Sequence, residues 1–389
     1  MQTAKLGTLV HIIGGGTPDR TNPEYWDGDI PWVTVKDVQS SRITSSQESI
    51  TEKGLRNSAS NLIPAGSIIV PTRMALGKVA INQVPIAINQ DLKALTVQQD
   101  SIDRDYLHRF LLSKSSYLES RGKGATVKGI TLDVLTELDV PIPSLPEQHR
   151  LAAILDKADA IRRKRREALN LADEFLRAAF LDMFGDPIAN SYGWPVMQLG
   201  EVVSRTQIGP FGTQLHQEDY IEGGIPLVNP THIVEGRICP DSSLTVSMEK
   251  YAQLGEYHLT VGDIVMGRRG EMGRCAIVSE IEQGYLCGTG SLFLRPDLAV
   301  VLSEYLGRVL SSDSAKAAFE RASLGATMPN LNKSIVTCFA MGIPPLSLQQ
   351  KYAQLDRSVI AAKAKLASQQ SEAENLFASL SHRAFQGTL

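Results

Sequence analysis

The chain repeats itself. Gly66-Ser67-Ile68 recurs as Gly262-Asp263-Ile264, and Arg73, Gly77, Lys78, Ala80 and Ile81 recur as Arg269, Gly273, Arg274, Ala276 and Ile277, all at an offset of 196. With small insertions the register continues: Tyr106-Leu107-x-Arg109 matches Tyr305-Leu306-x-Arg308, and Gly124-Ala125-Thr126 matches Gly325-Ala326-Thr327. Ile142-Pro143, Gln148 and Ala152 then match Ile343-Pro344, Gln349 and Ala353. Upstream, Leu6-Gly7 and Ile30-Pro31-x-Val33 correspond to Leu199-Gly200 and Ile225-Pro226-x-Val228. A unit this long is a whole domain with a helix attached, far beyond the roughly 20 to 50 residues of a solenoid repeat. The chain must therefore fold into two equivalent parts, and whatever it does it is built to do twice.

The end of each copy predicts a long helix. Residues 147–184 lack proline, and Pro146 stands where a first turn tolerates it. An apolar seam steps by three and four through Leu151, Ile154, Ala158, Ile161, Ala168, Ala172, Phe175 and Ala179, interrupted at Arg165. Its counterpart runs Tyr352, Leu355, Val359, Ala362, Leu366, Ala373, Leu376 and Leu380, interrupted at Gln369. Each helix is the obvious partner of the other, and a two-fold repeat sets them antiparallel. About 38 residues at about 1.5 Å each make a rod of about 57 Å. The predicted order is domain 1–146, helix 147–185, domain 186–346 and helix 347–389. Five consecutive basic residues, Arg162 to Arg166, sweep around the whole helix, so they form no single stripe; a solvated or partner-facing surface competes with phosphate contact.

Each domain reads as mixed α/β. Segments 67–71 and 78–82, with 263–266 and 274–279, predict strands flanking Arg-containing, Gly-bounded loops, while 106–120 and 305–321 predict helix. The loops have a structural reading, in which the glycines permit the turn and the arginines pair locally. They also have a functional one: Arg73 and Lys78, and Arg268, Arg269 and Arg274, meet DNA phosphates or guanine edges. Lys36, and Thr231 and His232 in the other copy, follow the repeated Ile-Pro-x-Val segments and would line the same face.

Composition narrows the class. A chain of 389 residues, 43% hydrophobic, can bury two ordinary cores. No apolar run reaches the roughly 18 residues of a membrane span, which predicts a soluble, cytoplasmic protein. The formal charge of -3 argues against a protein that coats DNA, though not against one with locally gathered basic residues. Cys239, Cys275, Cys287 and Cys338 all fall in the second copy, which points to buried, reduced thiols rather than a repeated disulfide or zinc framework.

Catalytic signatures fail one by one. Gly124 to Gly129 has the glycine spacing of a phosphate loop, but Ile130 stands where its lysine belongs. Gly14-Gly15-Gly16-Thr17-Pro18 has no helix following it and reads as a turn. Asn22-Pro23-Glu24-Tyr25 lacks the second proline of the amino-methyltransferase motif. The seven histidines show no metal spacing and no position shared between copies. A repeat without a repeated acid, base or nucleophile suggests a binder.

Taken in order, Gly15-Gly16-Thr17-Pro18, Tyr25-Trp26-x-Gly28-Asp29-Ile30-Pro31-Trp32-Val33, the two Gly-x-Ile segments with their loops, and Pro143-Ser144-Leu145-Pro146-Glu147-Gln148 entering a long helix resemble the specificity subunits of type I restriction-modification systems. The second copy departs from the pattern with Gly209-Pro210-Phe211-Gly212-Thr213 and Leu346-Ser347-Leu348-Gln349. The resemblance covers essentially the whole chain. It implies two target-recognition domains, each reading one half of a split double-stranded DNA site, and an antiparallel helical spacer that docks two methyltransferase subunits. Restriction subunits would join them; S-adenosylmethionine, ATP and magnesium would act on those partners, and this chain would carry no cofactor and no active site. The competing classes are a self-sufficient methyltransferase or nuclease with atypical motifs, and a scaffold that binds protein at two equivalent sites.

Overall fold

Thr3–Lys5 pairs antiparallel with Asp139–Pro141, and Val196–Gln198 pairs in the same way with Ala340–Gly342, so each domain returns to its own start before its helix departs. The computed structural model describes every residue except 1, 125, 271, 272 and 324–329, and the backbone alone of Thr213. Gly325-Ala326-Thr327, Ala125, Glu271 and Met272, part of the repeat read above, lie outside the described residues. The chain divides into two units, 1–167 with 367–389, and 168–366.

In the first unit a five-stranded sheet has the order Val10–Gly14, Leu92–Val97, Ile68–Pro71, Ala80–Asn82 and Arg42–Ile43. A four-stranded sheet follows Glu48–Ile50, Trp26–Val33, Ile86–Ile88 and Leu62–Ile63, with its central pair parallel. The second unit has Val203–Ile208, Ser291–Pro296, Ile264–Gly267 and Cys275–Ile277 in one sheet. Its other sheet runs Tyr220–Ile221, Thr245–Val246, Ile225–Val228 and Leu286–Cys287, with only the last pair parallel. The predicted strands around the repeated loops are present but short, because Gly77 and Gly273 turn the chain at φ near +80°, a conformation glycine adopts without strain. Each predicted domain helix is two: Arg104–Ser113 and Ser115–Ser120, then Ser303–Leu310 and Asp313–Ala322. Ser312 starts the last of these by accepting the Ala315 amide on its hydroxyl.

Gly15 and Gly209 explain the turn-like N-terminal motifs. A Cβ on Gly15 would lie 2.0 Å from the Ile88 carbonyl, and one on Gly209 would lie 1.9 Å from that of Gly288. Only glycine lets these strands end so close to the neighbouring backbone.

The long helices are Leu145–Phe184 and Leu346–Gln386. A buried glutamine pins the start of each. Gln148 accepts the Asp103 amide at 2.8 Å and donates to the Ser101 and Pro143 carbonyls; Gln349 accepts the Leu302 amide at 2.9 Å and donates to Val300 and Pro344. Contacts within each unit run antiparallel: Arg150 donates to the Leu389 carbonyl and Arg166 pairs with Glu374 in the first, Lys363 bonds Asp173 and Phe180 packs on Tyr352 in the second. The two polar interruptions meet, since the Arg165 guanidinium donates to the carbonyl of Gln369.

The seam differs from its expected phase. Ile161, Phe175 and Leu376 are about half exposed, at 51%, 51% and 57%. Leu151, Tyr352 and Ala373 of the expected seam are buried, but the buried line otherwise takes Leu155, Asp159, Leu176, Phe180 and Phe184 in the first helix and Ala384 in the second. Ile154, Leu355, Val359, Leu366 and Leu380 are half-buried beside it. A coiled-coil phase assumes that the partner helix alone decides which face is buried, but here each helix end also belongs to a domain core. Leu151, Leu155 and Ala384 pack with Tyr106, Leu107 and Phe110; Phe180, Phe184 and Tyr352 pack with Tyr305, Leu306 and Val309. Arg109, only 6% exposed, pulls Asp159 inward through a 3.2 Å pair and meets Asp156 at 2.6 Å. The basic run is correspondingly engaged: Arg162 bonds Asp159 and lies 4.5 Å over the Phe377 ring, and Arg163 also faces Asp159.

Cys275 and Cys287 are buried, and burial pushes the Cys275 thiol up to about 12. Cys239 and Cys338 are exposed, contrary to the expectation of four buried thiols. Cys239 follows the strand Arg237–Ile238 and Cys338 caps the helix Lys333–Thr337, both at the surface. Among the described residues no helix is long and apolar enough to cross a membrane.

Candidate nucleic-acid interface

In the first unit three loops surround a cleft of about 860 Å³, lined among others by Lys36, Gln39, Met74, Lys78, Gln90 and Asp91. The first loop leaves Trp26–Val33 through a one-turn helix, Val35–Asp37. Thr34 accepts the Lys36 amide, and Asp37 accepts the Thr34 amide and hydroxyl, which closes the turn and leaves the Lys36 side chain exposed. The second carries Arg73 and Lys78, both exposed. Arg73 lies 3.9 Å from Asp91, whose carboxylate is 16% exposed. The third, at 89–91, joins two buried strands. Asn89 holds it closed by accepting the Asp91 amide and donating to the Asp91 carboxylate, both at 3.2 Å.

One wall is an aromatic stack. The Arg20 guanidinium sits 3.9 Å over Trp26 and 5.0 Å from Trp32, and grips Glu48 with two hydrogen bonds. That grip holds the Glu48 carboxyl below the usual carboxylate range. Trp32, 2% exposed, anchors the wall by donating its indole N–H to the Gly16 carbonyl.

The equivalent place in the second unit follows from matching hydrogen bonds. Val33 faces Ile88 in one parallel pair as Val228 faces Cys287 in the other, and Thr72 donates to the Asp91 carbonyl as Arg268 donates to that of Gly290. Positions 89–91 thus correspond to 288–290, and Asn-Gln-Asp is replaced by Gly-Thr-Gly. Arg269 and Thr231 are exposed. Arg274 is half-buried and donates to the Pro230 carbonyl at 3.3 Å.

Two expected contacts are displaced from this surface. Arg268 is 8% exposed, its Nε donates to the Leu331 carbonyl and its Nη2 to the Asn330 side chain. Burial, then the neighbouring Arg269, draws its guanidinium below the ordinary arginine value. It therefore ties the strand to the following segment, because alternation along the strand end turns Arg268 inward and Arg269 outward. His232 is 5% exposed with its Nδ1 2.8 Å from the Leu227 carbonyl, so it closes its own turn. Conversely, Gln39, Gln47, Met74 and Gln90 line the cleft without having been singled out. No repeat marks them, since they sit where the copies differ.

The fold and this surface define a duplicated α/β binding protein whose two halves share a frame and differ in their exposed loops. The chain belongs to the type I restriction modification DNA specificity domain family, whose profile matches residues 1–171 and again 192–372. It is 30% identical over 260 residues to the type I restriction enzyme MjaIX specificity subunit of Methanocaldococcus jannaschii, covering 61% of this chain and 59% of that protein. It is 36% identical over 163 residues to the EcoR124I/EcoR124II specificity subunit of Escherichia coli, covering 40% of each. The chain thus spans about half the length of these two relatives. The fold is that of the S subunit of a type I restriction-modification system from M. genitalium, with a TM-score of 0.61 at 16% identity over 99% of this chain and 96% of that one. A chain from a type I R-M system complex gives 0.58 at 18% identity, covering 100% of this chain and 98% of the other.

Proposed function

We propose that this chain is the noncatalytic DNA-recognition subunit of a type I restriction-modification complex. Each domain reads one half of a bipartite double-stranded site. The antiparallel helices set the gap between halves and dock two methyltransferase subunits, with restriction subunits joining the assembly. S-adenosylmethionine, ATP and magnesium act on those partners. The observation that carries this reading is the pairing of a repeated frame with unlike loops at 89–91 and 288–290: one scaffold presents two different reading surfaces. Exposed Lys36, Arg73, Lys78 and Thr231, and Arg269 with Arg274 behind it, supply the phosphate and base contacts.

Expressing the chain with its methyltransferase and mapping methylated adenines across the host genome tests the proposal. The expected result is one split, non-palindromic sequence with a fixed gap. Methylation indifferent to sequence would refute it, as would methyl transfer by the purified chain alone, which would make it an enzyme. Absence of DNA affinity in the complex at low salt would favour a protein scaffold.

A further inference from the structure

The first domain's cleft presents the amides Asn89 and Gln90 where the second domain has Gly288 and Thr289. Gln90 is the exposed tip of the 89–91 loop, and its side chain is already oriented: the Thr17 hydroxyl donates to Gln90 Oε1 at 2.5 Å. A carbonyl oxygen has two lone pairs, so Oε1 keeps one, and among the described residues Nε2 donates to nothing. What remains is one acceptor beside one donor, the complement of adenine's N6–H and N7. Guanine offers only acceptors at O6 and N7, which that pair would satisfy on one side alone.

Met74 shares the cleft and is 59% exposed. Its φ of +67° is unusual for a residue with a side chain, yet the loop fixes it: Met74 N donates to the Lys128 carbonyl and Leu76 N to the Met74 carbonyl, at 2.9 and 2.8 Å. An apolar side chain held outward in a polar cleft suits the thymine methyl group. Lys36 and Lys78 make no hydrogen bond from their ammonium groups within the described residues and are available to phosphates.

We propose that Gln90 and Met74 read one A·T pair of the first half-site, Gln90 bonding the adenine and Met74 contacting the thymine methyl, while Lys36 and Lys78 hold the flanking backbone. This rests on the DNA-recognition reading above. The equivalent positions in the second domain, Thr289 for Gln90 and Gly270 for Met74, lack both amide and thioether, so the second half-site would not share this contact.

The test maps methylated adenines for the full chain with its methyltransferase, comparing the unaltered protein with Gln90→Ala and Gln90→Glu. Both variants should lose discrimination at one A·T position of one half-site by about tenfold or more, with the gap and other half-site unchanged. In vitro, replacing that thymine by uracil should weaken binding of the unaltered complex and leave Met74→Ala indifferent. An unchanged motif, relaxation at a G·C position or relaxation in both halves would overturn the assignment. If the unaltered complex shows no split motif at all, the recognition reading itself falls, and this assignment with it; retention of the second half-site shows that the variants fold.

Discussion

The end of the first long helix is part of the second domain's core, and Phe184→Ala tests that directly. Phe184 is fully buried, its ring 4.9 Å from Phe180, 4.9 Å from Tyr305 and 5.6 Å from Tyr352. Removing such a side chain costs the transfer energy of the ring plus the cavity it leaves, together about 3–5 kcal/mol. Tyr305 also carries a buried hydroxyl bonded to the Gly342 carbonyl at 2.6 Å, which limits how far its ring can move to fill the space. We therefore expect the upper part of that range. Because the chain has two units, a single melting temperature would blur the effect. Hydrogen exchange separates them. A loss of about 4 kcal/mol should accelerate exchange nearly a thousandfold in Ile264–Gly267 and Ser291–Pro296, if those strands open with their unit. Ile68–Pro71 and Leu92–Val97 should keep their protection. Equal acceleration in all four strands, or a change below tenfold in the first pair, would refute the assignment of this helix end to the second core. Phe385, the counterpart in the first unit, packs on Tyr106 and Phe110 but is only half-buried, so its truncation should act on the opposite strands and more weakly.

Gln148→Leu keeps much of the volume but leaves the Asp103 amide and the Ser101 and Pro143 carbonyls without their partner; a cost of about 2–4 kcal/mol is expected in chemical denaturation, and Gln349→Leu should match it. His108 is 3% exposed, and burial, then the neighbouring Arg109, lowers its pKa to about 4. A lowered histidine leaves stability intact above the unfolded value of about 6.5 and removes it as pH falls towards 4, at up to about 1.4 kcal/mol per pH unit. His108→Gln should flatten that part of the stability profile, and an unchanged profile would place the loss elsewhere. Arg269→Ala should weaken specific DNA binding by about 1–3 kcal/mol if it reads a base, without altering the melt. Arg268→Ala should lower stability, because it removes the bonds to Asn330 and Leu331.

The repeat made the frame legible because the residues that build it are constrained in both copies by the same packing. Tyr106 and Tyr305 each donate a buried hydroxyl to the strand before the long helix, and Gln148 and Gln349 each clamp a helix start. Sheet order was not legible, since the pairing of Trp26–Val33 with Ile86–Ile88 joins short strands across an intervening sheet and leaves no local pattern. The helix seam was legible in spacing but not in phase. Ile154 and Leu155 are equally apolar, and only the domain core beneath Leu155 decides between them. Likewise a run of two arginines does not say which one is buried. Arg268 corresponds to Thr72 in the other copy, which is equally buried, and that burial is set by the strand that each follows rather than by residue identity.

The same correspondence explains how one frame can carry different readers. The 89–91 and 288–290 loops both span from a strand of the parallel pair to the strand at the heart of the neighbouring sheet, and both ends are fixed by backbone hydrogen bonds: Asn89 N to Val33 O and Thr72 N to Asp91 O in one, Gly288 N to Val228 O and Arg268 N to Gly290 O in the other. These bonds involve no side chain of the loop, so Asn-Gln-Asp and Gly-Thr-Gly satisfy them equally. The middle side chain, exposed Gln90 or half-buried Thr289, is then free to change at little cost to the core, whereas a substitution at Val33, Ile88, Val228 or Cys287, all buried, disturbs packing. Divergence concentrated on that loop therefore separates recognition from folding.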